Sequence, residues 1–548
     1  GSNIAIGYGA MNDTDAGSNS LGSGHNTFIG LDSGGGTWAD AASQYNVAVG
    51  NYTMRLALNG ANGNLALGYY SLSSITSGDY NVALGQGALA NLTTSSSNIA
   101  IGHNAMNVHT TGGSNIAIGE GAMDDTDAGS TSLGSTDNIF IGQNAGGGTW
   151  VDAASNNNIG IGNYVMDAAM NGAVENTAVG HNALSGITTG YENVGVGYQA
   201  GWKVTTGYGN VCLGKDAGDS LTTENGCILI GSNAGQKIGT DSGAGADGQV
   251  CIGYSAGQDI DTGEGNTAIG YNALTLEDDG DFNTAVGWKA LSVQEGTSGE
   301  VGNTVVGYQS GQFVTTATGS TFIGAKAGQG ITGAKLTGSN NTAVGKDAGL
   351  LLQGAAHSNT FVGSTAGNVA TTAVENTVVG FNCDIEDATA TNQIVIGNNV
   401  TGTADNAVHI GNDSNHLYTA FSSDSWSATS DIRQKKNIKD DTLGLDFINS
   451  LRTTTYNHKS PSEFPKEWKS YNPDDKEPMD GDKVFHSLIA QEVKQSLDDI
   501  GCETFGGWSV DPDGRQRVSR TSFVTPLIKA VQELSAEVKQ LKQQLEDK

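Results

Sequence analysis

The residues of this chain whose types and spacing could do chemistry are Ser430 and Lys435. They lie five apart in the run Ser430-Asp431-Ile432-Arg433-Gln434-Lys435-Lys436-Asn437-Ile438. A serine hydroxyl is a weak nucleophile until a base takes its proton, and a lysine can be that base once burial lowers its pKa toward neutrality. Ser-Lys pairs are one variant of the nucleophile-base logic of the serine hydrolases. The chemistry on offer is acyl transfer, and the nearest bond is the Ser430–Asp431 peptide itself. Taken alone, the pattern reads more readily as a basic turn ahead of a helix, and Lys436 competes with Lys435. Position makes Ser430–Asp431 an expected self-cleavage site. A long acidic, proline-free, Gly-rich repeat ends on its N-terminal side, and a segment of ordinary composition begins on the other.

The composition break is sharp. All six prolines (Pro461, Pro465, Pro473, Pro478, Pro512 and Pro526) lie after residue 430. Residues 1–430 hold 8 Lys+Arg against 36 Asp+Glu, and residues 431–548 hold 18 against 21. A chain of 548 residues exceeds one ordinary core, so at least two structural units are expected. The acidity of the first part argues against nucleic acid, or an anionic membrane bound through bulk charge, as partner. Five Cys at irregular spacing form neither a disulfide framework nor a zinc signature, and no cofactor or metal is expected. No run is long enough to span a bilayer, and no signal peptide is visible. The chain opens at Gly1-Ser2 without Met and enters the repeat at Asn3, which suggests an attachment module ahead of it.

The element that must hold the Ser430 run in place is the repeat. Its unit reads Asn, any residue, small, Ile/Val/Leu, Gly, two of any type, Ala/Ser, then Leu/Met/Gly. Copies include Asn98 to Gly102, Asn176 to Gly180 and Asn341 to Gly345. The motif glycine recurs 23 times from Gly7 to Gly411, most often 17 residues apart. A second period of 112 residues relates Gly7, Gly30, Gly50 and Gly68 to Gly119, Gly142, Gly162 and Gly180. Whole-block duplication of this kind lengthens a solenoid without altering its cross-section.

Each unit offers three to five residues of apolar alternation before Gly, rich in Ile and Val, and no helical period is sustained. A short strand, a Gly bend, a second short strand and a polar loop would make one turn of a parallel β-roll. At about 4.8 Å per turn, the stack would run roughly 110 Å. The Asn is expected to stack in a ladder or to close the turn through its side chain. The small residue and the branched residue after it alternate faces, one toward the roll interior and the other toward a trimer axis. Cys212 and Cys251 occupy the small slot and read as buried hydrophobes.

Over residues 3–411 the repeat resembles the YadA-like head of trimeric autotransporter adhesins and the β-roll shafts of phage tail fibres. The resemblance implies a left-handed parallel β-roll in three copies. Most turns here carry about three residues more than the familiar repeat of about fourteen, an excess expected in a surface loop. Larger loops fall at 11–25, 33–45, 123–137 and 146–157, and among them are GGGTWADAAS and GGGTWVDAAS, with Trp38 and Trp150 in equivalent places. As exposed aromatics beside small polar residues they could stack on sugars; alternatively they cover the roll edge. Asp13, Asp15, Asp125 and Asp127 stand in Asp-Thr-Asp-Ala-Gly runs, a calcium-loop fragment without its distal Glu, and read as solvated turns.

Beyond Gly411 the repeat fades. After the Ser430 run come an apolar helix around Leu445, a Pro/Lys/Asp-rich insertion, VFHSLIAQEVKQSL, a Gly-containing hairpin and a terminal helix. In the last, Leu527, Val531, Leu534, Val538, Leu541 and Leu545 are spaced as an a/d seam, so this helix wants partners. Ser430-Asp431, Arg433, Lys435, Asn437-Ile438, Gly444 to Ile448, Leu488 to Val493, and Phe523 to Leu545 closely resemble the intramolecular chaperone auto-processing domain. That domain ends phage endosialidases, tail fibres and neck appendages, and it occurs in the self-cleaving myelin regulatory factor. One departure is Ser487, where many relatives have Gly. The resemblance implies a Ser-Lys dyad with Ser430 as nucleophile and Lys435, not Lys436, as base. Ser430 would attack its own carbonyl or the adjacent peptide, and backbone N–H groups would hold the oxyanion.

The sequence therefore predicts a mainly β protein: a homotrimeric parallel β-roll shaft over 1–411, a junction over 412–430, a small α+β chaperone domain over 431–520, and a trimeric coiled-coil helix over 521–548. Parallel rolls have high contact order and expose edges while folding. A trimerising chaperone would set register, and its removal by one round of autoproteolysis would trap the shaft kinetically. The expected role is a phage tail fibre or spike in the virion, assembled in the host cytoplasm. Its expected partners are the tail or baseplate through the N-terminal module and a host receptor, either a polysaccharide or an outer-surface protein. The alternatives are a cell-surface trimeric adhesin, which would carry a membrane barrel or anchor after its repeats, and a polysaccharide-degrading spike. For the last, no paired catalytic carboxylates stand out.

Overall fold

The computed structural model of the chain describes residues 1–12, 22–38, 40–126, 134–239, 245–296, 299–423, 427–428, 432–468, 470–478, 480–512 and 514–547. The chain divides into two compact units, Gly1–Thr429 and Ser430–Lys548.

The first unit is a parallel β-solenoid. Among the described residues, 23 short strands, from Ile4–Ile6 to Ala407–Asn412, pair in chain order, each preceding or containing a motif glycine. Register is kept residue for residue: Ile99, Ala100 and Ile101 pair with Ile116, Ala117 and Ile118. Described parts of the 412–430 segment add to the sheet. Asn415–Ala420 folds back antiparallel on Ala407–Asn412, and Ser427–Ala428 pairs antiparallel with it.

The second strand expected in each turn is reduced, among the described residues, to one two-residue parallel pair, Gly280–Asp281 with Gly299–Glu300, and isolated bridges such as Val314 with Leu336. In its place runs a chain of tight turns stacked by backbone bonds, such as Leu89 N–H to Ala105 O at 3.0 Å and Met106 N–H to Ala122 O at 2.9 Å. Pleating is ruled out there because the second and fourth residues after the motif glycine are left-handed, as at Gln199 (φ 54°) and Gly201 (φ 61°). The motif glycine is required by close approach. At Gly197 (φ 138°) a Cβ would lie 2.5 Å from the carbonyl oxygen of Gly214 one turn on.

The Asn both stacks and closes its turn. From Asn3 to Asn210 each Oδ1 accepts the backbone N–H of the equivalent residue one turn later, as in Asn115 N–H to Asn98 Oδ1 at 3.0 Å. Each buried Nδ2 donates back to the preceding Oδ1 and also to a carbonyl at the end of its own turn, as Asn98 does to Asn81 Oδ1 at 3.2 Å and Gly112 O at 3.0 Å. From Asn26 to Asn210 the polar ladder is therefore satisfied inside the roll.

Each strand sends its middle residue inward, as with Ala83, Phe140, Cys212 and Phe361, all fully buried. Size in this slot is traded against the residue six positions later. Ala100 goes with Met106 and Ala178 with Leu184, whereas Phe28, Phe140, Phe322 and Phe361 go with Gly34, Gly146, Gly328 and Gly367. A Cβ at those four glycines would meet the Phe ring at 2.5–2.9 Å. The trade evens out interior volume in these turns; where both positions are small, as at Gly195 and Gly201, Leu184 of the neighbouring turn fills the space. The flanking strand residues point outward and stay partly exposed: Val47 is 37% exposed and Leu67 49%.

The second unit packs helices α1 (Leu445–Ser450), α2 (Ala490–Asp499) and α3 (Val524–Glu546) with two antiparallel hairpins, Thr454–Tyr456 with Phe485–Ser487 and Trp508–Val510 with Gln516–Val518. Its core is Leu443, Phe447, Val493, Leu497 and Phe523, with Phe447 and Phe523 stacked at 6.1 Å. Mainly β, with few helices and a terminal helix, is the architecture the sequence led us to expect.

Candidate functional site

Ser430 and Asp431, the expected nucleophile and cleavage bond, lie outside the described residues. Lys435 follows a single tight turn over Ile432–Gln434, and its N–H donates to Ile432 O at 3.1 Å. Its side chain is exposed. Asn437 is left-handed, at φ 56°, so the chain changes direction just after the lysine pair. Ile432 and Ile438 are exposed apolar residues on either side of Lys435.

Behind this run the second unit is fixed by polar contacts between distant segments. Gly444 precedes α1, and the Glu533 carboxylate on α3 accepts the first helical N–H, Leu445, at 2.6 Å. A Cβ on Gly444 would lie 2.1 Å from that carboxylate, so only glycine leaves room for the cap. Arg452 and Glu492 form a two-pronged pair that draws the carboxyl below and the guanidinium above their usual ranges, chiefly through the shared hydrogen bonds. Thr454 Oγ1 donates to Ser487 O at 3.0 Å across the first hairpin.

A pocket of about 580 Å3 opens beside that hairpin, lined by Leu451, Thr454, His486, Leu488, Phe523 and Leu527. Leu527 is also the first residue of the α3 seam. Leu534, Val538, Leu541 and Leu545 on the same seam are all exposed, Leu545 to 74%. The sequence pattern of the seam reveals this surface; nothing in it reveals the pocket, whose walls come from three separate segments.

Trp38 and Trp150 require a correction. They are not exposed platforms for sugars. Both are fully buried, edge-on to Phe28 and Phe140 at 5.8 and 5.9 Å. Each indole N–H donates to a carbonyl of its own loop, Gly34 O and Gly146 O, at 3.1 Å. The longer turns enclose more volume, and the indoles fill it. Asp13, Asp15 and Asp127 lie outside the described residues, and Asp125 accepts the Thr149 hydroxyl at 2.6 Å. Cys212 and Cys251 are buried in the small slot. Cys227 takes an Asn position in the ladder, and burial pushes its thiol up to about 12.

Compared with known families, residues 430–502 match Peptidase_S74, the chaperone of endosialidase. The match covers α1, the first hairpin and α2, and stops before the second hairpin and α3. No curated protein and no solved structure gives a significant match to the chain.

Proposed function

We propose that this chain is the shaft and chaperone of a trimeric phage tail fibre or spike that binds a host receptor, and that it cuts itself once between Ser430 and Asp431. One coincidence carries the reading. The match to the chaperone of endosialidase begins at residue 430, where the composition breaks and where the two compact units divide.

Two surfaces support three copies. A parallel sheet is ordinarily covered on both faces, yet the outward Ile, Val and Leu of the solenoid strands are uncovered in one chain. The α3 seam is likewise apolar and bare. Burying both against further copies would remove apolar surface from water and join the chains in register.

In the proposed step, Lys435 takes the Ser430 hydroxyl proton, and Oγ adds to the carbonyl carbon of the Ser430–Asp431 peptide. The C–N bond breaks, the proton passes to the Asp431 nitrogen, and water hydrolyses the resulting ester. Attack on a residue's own carbonyl closes a four-membered ring, and attack on the same peptide of an adjacent copy avoids that strain. Lys435 is exposed in the single chain, whereas a lysine base works when desolvated. Both points make cleavage follow assembly. The test is size and fragment analysis of the expressed chain. A trimer that yields a fragment beginning at Asp431 supports the reading; a stable uncut monomer overturns it.

A further inference from the structure

The 112-residue duplication supplies an internal comparison along the solenoid, and one surface pocket differs between the two blocks. A concavity of about 440 Å3 lies across the turns that carry Gly50, Gly68, Gly85 and Gly102. On one side stand Arg55, Tyr69 and Tyr70; on the other are the amides of Asn91, Asn104 and Asn107.

The aromatic wall is prearranged. Tyr69 and Tyr70 meet edge to face at 4.4 Å, and Tyr70 stacks on Tyr52 at 5.2 Å. The Arg55 guanidinium sits 5.8 Å from the Tyr52 ring centre and donates to the Tyr70 hydroxyl at 3.4 Å. The amides are linked too: Asn107 Nδ2 donates to Asn104 Oδ1 at 3.0 Å, and Asn91 Nδ2 to Asn107 O at 2.9 Å. Gly87 keeps this floor open, since a Cβ there would lie 2.4 Å from Asn104 Oδ1.

Arg55 is the only Lys or Arg in the first 202 residues, which carry 14 Asp and Glu. In the second block Arg55 is matched by Asp167, Tyr69 by His181 and Tyr70 by Asn182. The cation and both outer rings are thus peculiar to the first block, so the repeat itself does not require them. The volume suits a small-ligand site. An aromatic face, one cation able to bind a carboxylate in two-pronged fashion and a row of amides together match a sugar that has an apolar C–H face, a carboxylate and several hydroxyls.

We propose that this pocket binds a carboxylate-bearing sugar unit of a polysaccharide, with the carboxylate on Arg55, the ring face on Tyr69, and the hydroxyls on Asn91, Asn104 and Asn107. The inference rests on the receptor-binding part of the proposed function and names its ligand class. The test is calorimetric titration of the full-length protein with oligogalacturonate and 3′-sialyllactose, beside carboxyl-reduced oligogalacturonate and lactose. At least one acidic probe binds, and its neutral counterpart binds about tenfold more weakly or not at all. Arg55→Asp, which installs the residue of the second block, and Tyr69→Ala each lower the acidic probe's affinity about tenfold or more. Both side chains are exposed, so both variants keep the wild-type thermal melt. The proposal is overturned if no acidic probe binds, if a neutral counterpart binds equally, or if Arg55→Asp leaves affinity unchanged. A cut trimer that binds no acidic probe refutes the pocket alone. An uncut monomer that binds one through Arg55 refutes the assembly reading alone.

Discussion

Replacing Asn193 with Ala removes one rung of the internal ladder, and the cost follows from its partners. Asn193 Oδ1 accepts the Asn210 backbone N–H at 3.0 Å and Asn210 Nδ2 at 3.1 Å, and its own Nδ2 donates to Gly207 O at 2.8 Å. The variant orphans three groups: the Asn210 N–H, one Asn210 Nδ2 proton and the Gly207 carbonyl. Asn210 is fully buried, so solvent does not replace the lost bonds without local opening. At about 1 kcal/mol or more per orphaned buried group, the loss is about 3 kcal/mol, a factor of about a hundred in the local opening equilibrium. Because solenoid stability is a sum over neighbouring turns, the effect stays local. Native-state hydrogen exchange reads it directly: the Asn210 amide should exchange about a hundredfold faster, with amides several turns away unchanged. Asn225→Ala is the control. It breaks the same kind of bond, to the Tyr208 N–H at 3.0 Å, on the exposed rim, where water substitutes and the change should be under tenfold. Equal protection of Asn210 in Asn193→Ala and wild type would refute the view that the ladder holds the turns together.

Further predictions bear on the corrected tryptophans, the helix cap and a buried carboxyl. Trp38→Ala or Trp150→Ala should each cost about 3–5 kcal/mol in local stability, seen as lost exchange protection around Phe28 or Phe140, with saccharide binding at the Arg55 pocket unchanged. Gly444→Ala should displace the Glu533 carboxylate from the Leu445 N–H and destabilise the second unit by about 1–2 kcal/mol, measured by urea unfolding of the full chain. Burial, reinforced by Asp124, pushes Asp167 up to about 6. The folded state therefore favours its protonated form, and the Asp167 contribution is favourable below about pH 4 and lost as pH rises through 6. Asp167→Asn should accordingly raise stability at pH 7.5 by about 1 kcal/mol, discounted for solvent screening at its partly exposed site, and have no effect at pH 4. Equal melting shifts at the two pH values would contradict that assignment.

Much of the solenoid is legible in the sequence because its causes are local and repeated. The Asn at a fixed offset before Gly reads as a ladder, and the alternation of small with branched residues assigns their faces, since a strand must alternate. The second leg of each turn is not pleated because residues such as Leu72, Leu89 and Met106 are left-handed. Such strain in non-glycine residues is set by stacking against neighbouring turns, which no single repeat reveals. Trp38 and Trp150 were misplaced although a signal existed. Each lies in a turn of 20 residues, Gly30 to Gly50 or Gly142 to Gly162, against the usual 17, and the extra chain can carry an indole inward. The Arg55 pocket was missed because its walls come from four successive turns. The sole cation of the first 202 residues was visible in the sequence, but its ring and amide neighbours were not. In the second unit, the α3 seam was legible from its heptads, while the Glu533 cap on α1 joins residues 88 apart.

In the proposed function, a chaperone beginning at the Ser430 run guides the solenoid and is then severed from it. Intact-mass spectrometry of purified protein, wild type beside Ser430→Ala and Lys435→Ala, tests it most directly. The account predicts two wild-type species, one of them residues 431–548 with Asp431 as its N-terminus, and a single full-length mass for both variants. A full-length wild-type mass, or cleavage of both variants at the wild-type position, would contradict it.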